Sequence, residues 1–305
     1  MSFFAILIAL LLEQVRPLAH DNPVHAALRG WMRSMRRNFD TGQSAHAWVA
    51  WMLAVAVPAL ISGLIHWALG QVSALLAFIW LVAVLYLTLG FRQFSHHFSD
   101  IRQALEAGDE ALARERFARW LNVDASTLPR AELLRQFIVH SVLSAHRHVF
   151  GVLVGFVLLW VLGLGPAGAV LYRLAEYVSR RWRQRPDGTP SEALESAALG
   201  MWRWIDLVPS RVTALGFAVV GNFEEAVAGW RSRSAAGGAG SDDVVLAAAG
   251  GAINLPLLRS AWQEPSGAAD APQLAHLGSV VGLVWRAVVL WMLLLALLSL
   301  ARLVG

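Results

Sequence analysis

The sequence predicts an all-α membrane protein with about four or five membrane segments, one of them broken or re-entrant, and with helical loops in the cytoplasm. Three observations predict this class. Hydrophobic residues make up 57% of the 305 residues and charged residues only 15%, a balance too apolar for a soluble domain of this length. Long apolar runs alternate with short polar stretches, where a soluble helical protein would show amphipathic stripes. The polar stretches are rich in arginine, as cytoplasmic loops are.

The amino-terminal part follows this pattern. The first apolar run, Phe3 to Leu12, has no positive charge before it and no small-residue cleavage site, so we expect it to stay in the membrane. Two further apolar runs between Ala47 and Gly90 are joined by Gly70-Gln71, which predicts a membrane hairpin. Because a hairpin returns the chain to its starting side, the arginine-rich stretches 16–45 and 91–147 lie on one side, which their charge assigns to the cytoplasm.

A break is predicted in the next membrane segment. The apolar run that begins at Val149 is interrupted by Gly163-Leu-Gly-Pro-Ala-Gly168, where proline lacks a backbone donor and the glycines favour non-helical conformations. A broken or re-entrant segment explains why the arginine cluster at 180–185 has the character of a cytoplasmic stretch. The last run, Val280 to Val304, is long enough to span the membrane.

These patterns predict one membrane domain over residues 1–305, with a cytoplasmic helical loop at 91–135 inside it. Small-residue stretches at 232–240 and 263–273 are predicted to be flexible linkers. We expect the protein to pass several times through a membrane, with the lipid bilayer as its main partner. A second membrane protein or another copy of the chain stays open as a further partner.

Composition also limits the chemistry. All 25 basic residues are arginine, so no lysine is present to form a Schiff base, and the chain contains no cysteine for a disulfide, a thiol nucleophile or a thiolate metal site. The net charge of +4 is explained by cytoplasmic loops, and we therefore expect no nucleic-acid partner.

One group of polar residues lies where a helix enters the membrane. His140, Ser144 and His148 are spaced at i, i+4 and i+8, so they project to one side of that helix. They could line a site for an anion, a metal or a proton, or they could simply be tolerated at the interface. Because two histidines without a carboxylate on the same face fall short of a metal site, we predict no metal here.

Further polar residues lie at other apolar boundaries. Asp206 and Arg211 bracket Pro209, and Tyr172-Arg173 follow the glycine break. An unpaired charge or donor in such surroundings costs several kcal/mol, on the order of the penalty for burying a polar group, and therefore seeks a partner. We predict that these residues and the three on the entering helix form one polar pocket on the cytoplasmic side. Arginine there suits a phosphate or a carboxylate, so the expected ligand is an anionic small molecule.

The order of several motifs resembles the CobD/CbiB and AmpE superfamily of bacterial inner-membrane proteins. Gly165 to Arg173 resembles the GPxGAxxYR element of that family, and Val208 to Ala214 resembles its IPARLTA element. Ala104 to Asp109, followed by Asn122 to Ser126, resembles the region before and around its GRDT element. The segment Trp204 to Arg211 is closer to AmpE, whose corresponding element is similar to DWVPxR.

The resemblance implies two different activities. CobD/CbiB members act in cobalamin biosynthesis, where they join an aminopropanol-type group to a corrin carboxylate as an amide with ATP, a ligation that implies magnesium held by acidic residues. AmpE is linked to the sensing branch that induces β-lactamase during cell-wall recycling. The catalytic residues are unknown in either case, and whether the chain is an enzyme stays open.

The sequence departs from the family where acids are expected. The family's ESLAENLSDG stretch corresponds to 140–149 here, so positions 140, 144 and 148 have lost their carboxylates. Val123 replaces the arginine of the GRDT element, and Glu176 and Ser179 stand at the acidic and asparagine positions after Tyr172-Arg173. Only Asp124 keeps its acid.

We therefore expect an AmpE-like, non-ligase role in sensing or assistance, with an anionic or corrinoid-like ligand. The alternative is an adenosylcobinamide-phosphate synthase type of enzyme, with magnesium and ATP required only in that case.

Overall fold

The computed structural model describes residues 2–15, 22–121, 124–126, 128–183, 191–235, 237, 240–258 and 272–304. Over these ranges the chain is helical with turns and contains no strand, which confirms the predicted all-α class. In chain order the helices are α1 (Ser2–Val15), α2 (Pro23–Phe39), α3 (Ser44–Trp51), α4 (Val57–Val72), α5 (Ala74–Thr88), α6 (Phe91–Glu106), α7 (Glu110–Leu121), α8 (Arg130–Ala145), α9 (Gly151–Val161), α10 (Ala167–Arg181), α11 (Glu192–Ile205), α12 (Leu207–Val220), α13 (Phe223–Ala235), α14 (Ser241–Ala252) and α15 (Leu274–Val304).

Several of these helices are suited to lipid. The stretches Ser44–Val72, Arg130–Val161 and Leu274–Ala301 are long and apolar enough to cross a bilayer. Shorter apolar helices cover Phe3–Val15, Ala74–Thr88 and Leu207–Val220. The chain is therefore a membrane protein with more than one membrane segment, as its composition predicts.

The chain forms two compact units. Unit 1 contains residues 1–90 and 147–209, and unit 2 contains residues 91–146 and 210–305. Each unit has its own packed interior and is described separately below.

The first hairpin of unit 1 is formed by α4 and α5. A π-helical turn, Met52–Ala56, joins α3 to α4, so that the helix is continuous from Ser44 to Val72. The hydroxyl of Ser73 accepts from the Leu75 N–H at 3.2 Å and thereby caps α5. Trp80 Nε1 then donates to the Ser62 carbonyl at 3.1 Å, which ties the two arms together. A hairpin was predicted between Ala47 and Gly90, and α4 and α5 form one; its turn lies at Ser73 and not at Gly70-Gln71, because α4 continues through these residues to Val72.

A second hairpin of unit 1 explains the predicted break. Between α9 and α10 the chain turns at Gly163 and Gly165, whose φ angles of 78° and 57° lie in the left-handed region that glycine adopts readily. Gly155 then faces Gly168 across the hairpin, and a Cβ at position 168 would overlap the carbonyl oxygen of Gly155. The missing side chains let the two backbones approach closely, so α10 returns antiparallel along α9.

The polar end of unit 1 has an apolar core of its own. Residues from α2, α3, the second half of α10 and α11 are buried together there, including Met32, Trp51, Val178 and Leu194. The N–H of Ser191, just before α11, donates to Asp40 Oδ1 at 3.3 Å, which fixes the start of α11 at the turn between α2 and α3.

Unit 2 packs α6, α7, α14 and α15 around α8. Phe137 of α8 stacks on Phe98 with ring centroids 4.8 Å apart and meets Phe117 edge-on at 6.3 Å. The α13 and α14 helices form a tight pair, because a Cβ at Gly251 would overlap the backbone of Glu225. These contacts give the cytoplasmic loop predicted at 91–135 the form of α6, α7 and the start of α8.

The predicted linkers fall partly outside the described residues. At 232–240, α13 continues to Ala235 and α14 begins at Ser241, while residues 236, 238 and 239 lie outside the described part. At 263–273, residues 263–271 lie outside it, and α15 begins at Leu274.

Candidate functional site

A buried tyrosine and a buried aspartate meet in unit 1. Tyr172 of α10 donates its hydroxyl to Oδ1 of Asp206, the residue that ends α11, at 2.8 Å. Both side chains are buried, and the Tyr172 ring lies 5.2 Å from the ring of Trp202. The hydroxyl reaches Asp206 through the space at Gly151, where a Cβ would overlap the tyrosine ring and hydroxyl.

An ion-pair ladder lies beside this bond on the same helix. Glu176 pairs with Arg173 one turn before it, Oε2 to Nη1 at 3.1 Å, and with Nε of Arg180 one turn after it. The Glu176 side chain is 1% exposed, whereas those of Arg173 and Arg180 are 23% and 44% exposed. The buried carboxylate is thus neutralised from both sides, and the arginines keep a solvent-accessible edge.

Two residues from other helices complete the α10 cluster, which we define as Tyr172, Arg173, Glu176, Arg180 and Asp206 together with Glu13 and Arg147. Glu13 of α1 is buried and interacts electrostatically with Arg173. Arg147 interacts electrostatically with Tyr172. The α10 cluster therefore contains three carboxylates and three guanidinium groups.

His148 directly follows Arg147 of the α10 cluster in the chain, and it contacts Gly90 in the structure. It belongs to the π-helical turn His146–Phe150 between α8 and α9, where its carbonyl accepts from the Gly90 N–H at 3.3 Å. A Cβ at Gly90 would lie 3.2 Å from the His148 ring, so this glycine allows a close approach.

The remaining predicted site residues belong to unit 2. The His140 ring meets the Trp120 ring edge-on at 4.4 Å. Ser144 is buried and Arg211 is exposed on α12. A neighbouring polar contact was not predicted: His146 Nδ1 and Thr213 Oγ1, both buried, are 2.9 Å apart.

Among the seven predicted residues, the structure thus joins Tyr172 directly to Asp206 and places Arg173 in the same cluster. The prediction of one pocket shared by all seven stays a prediction. Sequence reasoning missed Glu13, Arg147 and Arg180 as members of the α10 cluster. An ionisable residue near the end of an apolar helix was the available signal for Glu13, since such groups are costly unless they are paired.

Asp124, which the sequence resemblance matches to an acid of the family, stabilises a turn in unit 2. Its Oδ1 accepts from the Ser126 hydroxyl at 2.6 Å and from the Ser126 N–H at 2.9 Å. These two bonds hold the pKa of the Asp124 carboxyl below its ordinary value. In the described part of the chain, no group of three or more histidine, cysteine, aspartate or glutamate side chains is arranged to hold a metal ion.

The partly exposed arginines of unit 1 carry donors of a kind that suits an oxyanion. A guanidinium group presents paired N–H donors that match a phosphate or a carboxylate. Arg173 and Arg180 lie on one face of α10, seven residues apart, and both are partly exposed.

Comparison with known proteins shows relatives over most of the chain. The cobalamin biosynthesis protein CobD of Chromobacterium violaceum is 32% identical over 235 residues, which cover 74% of this chain and 72% of that protein. The CobD protein of Stutzerimonas stutzeri is 29% identical over 263 residues, 83% of this chain and 82% of that protein. No protein-family profile and no solved structure matches the chain. Because these relatives are similar over most of their own length and most of this chain, the chain belongs to the CobD/CbiB family.

Proposed function

We propose that this protein serves cobalamin biosynthesis in the bacterial inner membrane, as a multi-pass accessory or sensing component that binds an anionic small molecule and does not form the amide bond itself. The name of the CobD relatives supports the pathway. The apolar helices support the location. A corrinoid-like compound with a free carboxylate or phosphate is the class of ligand that fits both this pathway and the expected anionic character.

The observation that carries the non-ligase role is how the buried acids of the α10 cluster are used. Glu176 is held by Arg173 and Arg180, and Asp206 accepts the Tyr172 hydroxyl. A ligase that holds magnesium and ATP needs carboxylates free to coordinate a hard cation. Here these two acids are engaged by protein groups, which favours binding of an anion over coordination of a metal.

The entering helix supports the same proposal. His140, Ser144 and His148 stand where the resemblance implies carboxylates in the family's acidic stretch. Histidine and serine are poor ligands for magnesium, which prefers oxygen ligands such as carboxylates and water. The loss of three acids in one stretch therefore removes the most direct way to hold a magnesium nucleotide.

A second candidate function is ATP-dependent amide formation, with which the names of the relatives are also compatible. Both matched proteins are named for cobalamin biosynthesis, and the chain covers more than two thirds of each. In this case magnesium and ATP would be required, with Asp124 as the acid that the resemblance implies is kept.

One complementation experiment separates the two candidates. The gene is expressed in a strain that lacks its own amide-forming cobalamin synthase and is supplied with cobyric acid. Under our proposal this strain does not make cobinamide and does not grow under cobalamin-dependent conditions. The strain's own synthase gene, expressed from the same promoter, is the positive control. Rescue of growth by the present chain would establish the second candidate.

A deletion in the host tests the pathway itself. Removing the gene should lower the conversion of supplied cobyric acid to cobalamin, and a plasmid copy should restore it. A copy with Arg173→Gln and Arg180→Gln should be made and inserted in the membrane but should restore conversion poorly. Unchanged cobalamin production in the deletion strain would remove the chain from this pathway.

A further inference from the structure

The corner between α11 and α12 exposes several large apolar side chains. Trp204 is 75% exposed and Val208 is 41% exposed, and Leu207 between them is also exposed. Arg203 and Arg211, on either side of these residues, are exposed as well. A tryptophan with small clusters of aliphatic and arginine side chains is typical of segments at the membrane–water interface.

The contacts of Asp206 and Tyr172 hold the α11–α12 corner beside a membrane helix. Asp206, at its centre, accepts from Tyr172, and the Tyr172 hydroxyl lies against Gly151. Gly151 is the first residue of α9, inside the apolar stretch that ends the span Arg130–Val161. The corner therefore lies beside the part of α9 where the apolar run begins.

The direction of α11 gives the same level independently. The N–H before α11, at Ser191, is bonded to Asp40 in the turn that precedes the span Ser44–Val72. From Ser191 to Asp206 a helix advances about 22 Å at 1.5 Å per residue. Ile205 packs against the apolar cluster that contains residues of that span between Ala47 and Val55.

The burial of Asp206 allows the α11–α12 corner to lie at the membrane surface. The Asp206 side chain is buried, and its Oδ1 has the tyrosine hydroxyl as donor, so no exposed carboxylate accompanies the apolar residues of the corner. An exposed acid at this place would be repelled by lipid phosphates and would cost free energy in the acyl region. Arg203, which is exposed beside the corner, can extend to the headgroups instead.

We infer that the α11–α12 corner is a membrane-docking element, in which Trp204, Leu207 and Val208 enter the headgroup and upper acyl region of a phospholipid bilayer. This role does not depend on the proposed function. It anchors α11 to the lipid and holds Asp206 against Tyr172, so the buried centre of the α10 cluster is placed at the lipid surface.

Single cysteines provide a direct test, because the chain has none of its own. Val208→Cys is the test variant. Ser196→Cys, at an exposed position of the preceding helix α11, is the water-facing control, and Leu60→Cys, exposed in the span Ser44–Val72, is the lipid-facing control. Each variant is spin-labelled in detergent and reconstituted in vesicles of phosphatidylethanolamine and phosphatidylglycerol. The collision rates of the label with oxygen and with a water-soluble nickel chelate are then compared.

The label at position 208 should collide more with oxygen than with the nickel chelate, as at position 60, while position 196 should show the reverse. A nickel accessibility at 208 equal to that at 196 would overturn the proposal. So would a label at 208 that neither reagent reaches, since the corner would then be covered by protein. Reaction of the unlabelled Val208→Cys protein with a membrane-impermeant maleimide gives a second readout. It should be slow in vesicles and fast in detergent, and equal rates for 208 and 196 in vesicles would contradict docking.

Discussion

The hydroxyl of Tyr172 and the carboxylate of Asp206 are joined at 2.8 Å in a buried position, although they lie 34 residues apart in the chain. This bond connects the returning arm of the α9–α10 hairpin to the end of α11. It also provides a hydrogen-bond donor to a carboxylate that burial would otherwise make costly.

Replacing Tyr172 by phenylalanine should therefore destabilise unit 1. Loss of a donor to a buried acceptor costs about 1–3 kcal/mol, and the phenyl ring keeps the packing against Trp202. The measurement is the midpoint of unfolding of the purified protein in detergent. Tyr177→Phe, on the same helix and partly exposed, is the control and should leave the midpoint nearly unchanged.

The double variant Tyr172→Phe with Asp206→Asn tests whether the effect arises from this bond. Directly bonded residues show coupling energies of about 0.5–3 kcal/mol in double-mutant cycles. Strictly additive effects would show that the two side chains act independently in the protein.

A methyl group at Gly151 should be poorly tolerated. The Cβ of Gly151→Ala would overlap the ring and hydroxyl of Tyr172, so the tyrosine must move and its bond to Asp206 must lengthen. Overpacking of this kind costs about 1–3 kcal/mol. Gly200→Ala is the matched control, because nothing lies within 4 Å of a Cβ at that helical position. It should be neutral or stabilise the protein by up to about 1 kcal/mol.

The Glu176 ladder should matter more than a surface ion pair. Glu176→Gln leaves Arg173 and Arg180 without their shared carboxylate, and breaking a fully buried pair costs about 3–5 kcal/mol. We expect a smaller loss, since both arginines are partly exposed and water screens them. Glu195→Gln, which removes the exposed 3.9 Å contact with Arg183 in the same unit, should change stability by about 0–1 kcal/mol. Equal losses of stability in the two variants would show that the buried Glu176 pairs contribute no more than a surface ion pair.

The membrane orientation has its own test. Reporter fusions ending at Ser34 in α2 and at Ala118 in α7 should both give a cytoplasmic signal, because the α4–α5 hairpin returns the chain to its starting side. Opposite signals at the two positions would exclude the topology predicted from the arginine-rich stretches.

Much of the fold could be predicted because membrane helices leave clear patterns. Apolar runs of span length located the α4–α5 hairpin, and two glycines and a proline located the turn between α9 and α10. What the sequence could not show is that α10 returns along α9. That depends on the face-to-face position of Gly155 and Gly168, which is visible only after the helices have been packed.

The candidate site was predictable in part for a similar reason. Tyr172, Arg173 and Asp206 were selected because polar residues at apolar boundaries need partners. In the structure Tyr172 and Asp206 are hydrogen-bonded to each other. Arg180 resembled one member of a cytoplasmic arginine run, and only its spacing from Glu176 on the folded helix shows its role. Glu13 could not be connected to Arg173 from sequence, because about 160 residues separate them and no local pattern links α1 to α10.

The α9–α10 hairpin has a consequence for biogenesis. A newly made helix is recognised for insertion by its own hydrophobicity, and α10 carries Arg173, Glu176 and Arg180 within 15 residues, each charge adding about 2.5–3.5 kcal/mol at the centre of a bilayer. α10 would therefore be rejected as a separate segment. Its apolar first half must enter together with α9, while the turn at Gly163 and Gly165 is already closed. We therefore expect the two arms of this hairpin to insert into the membrane together.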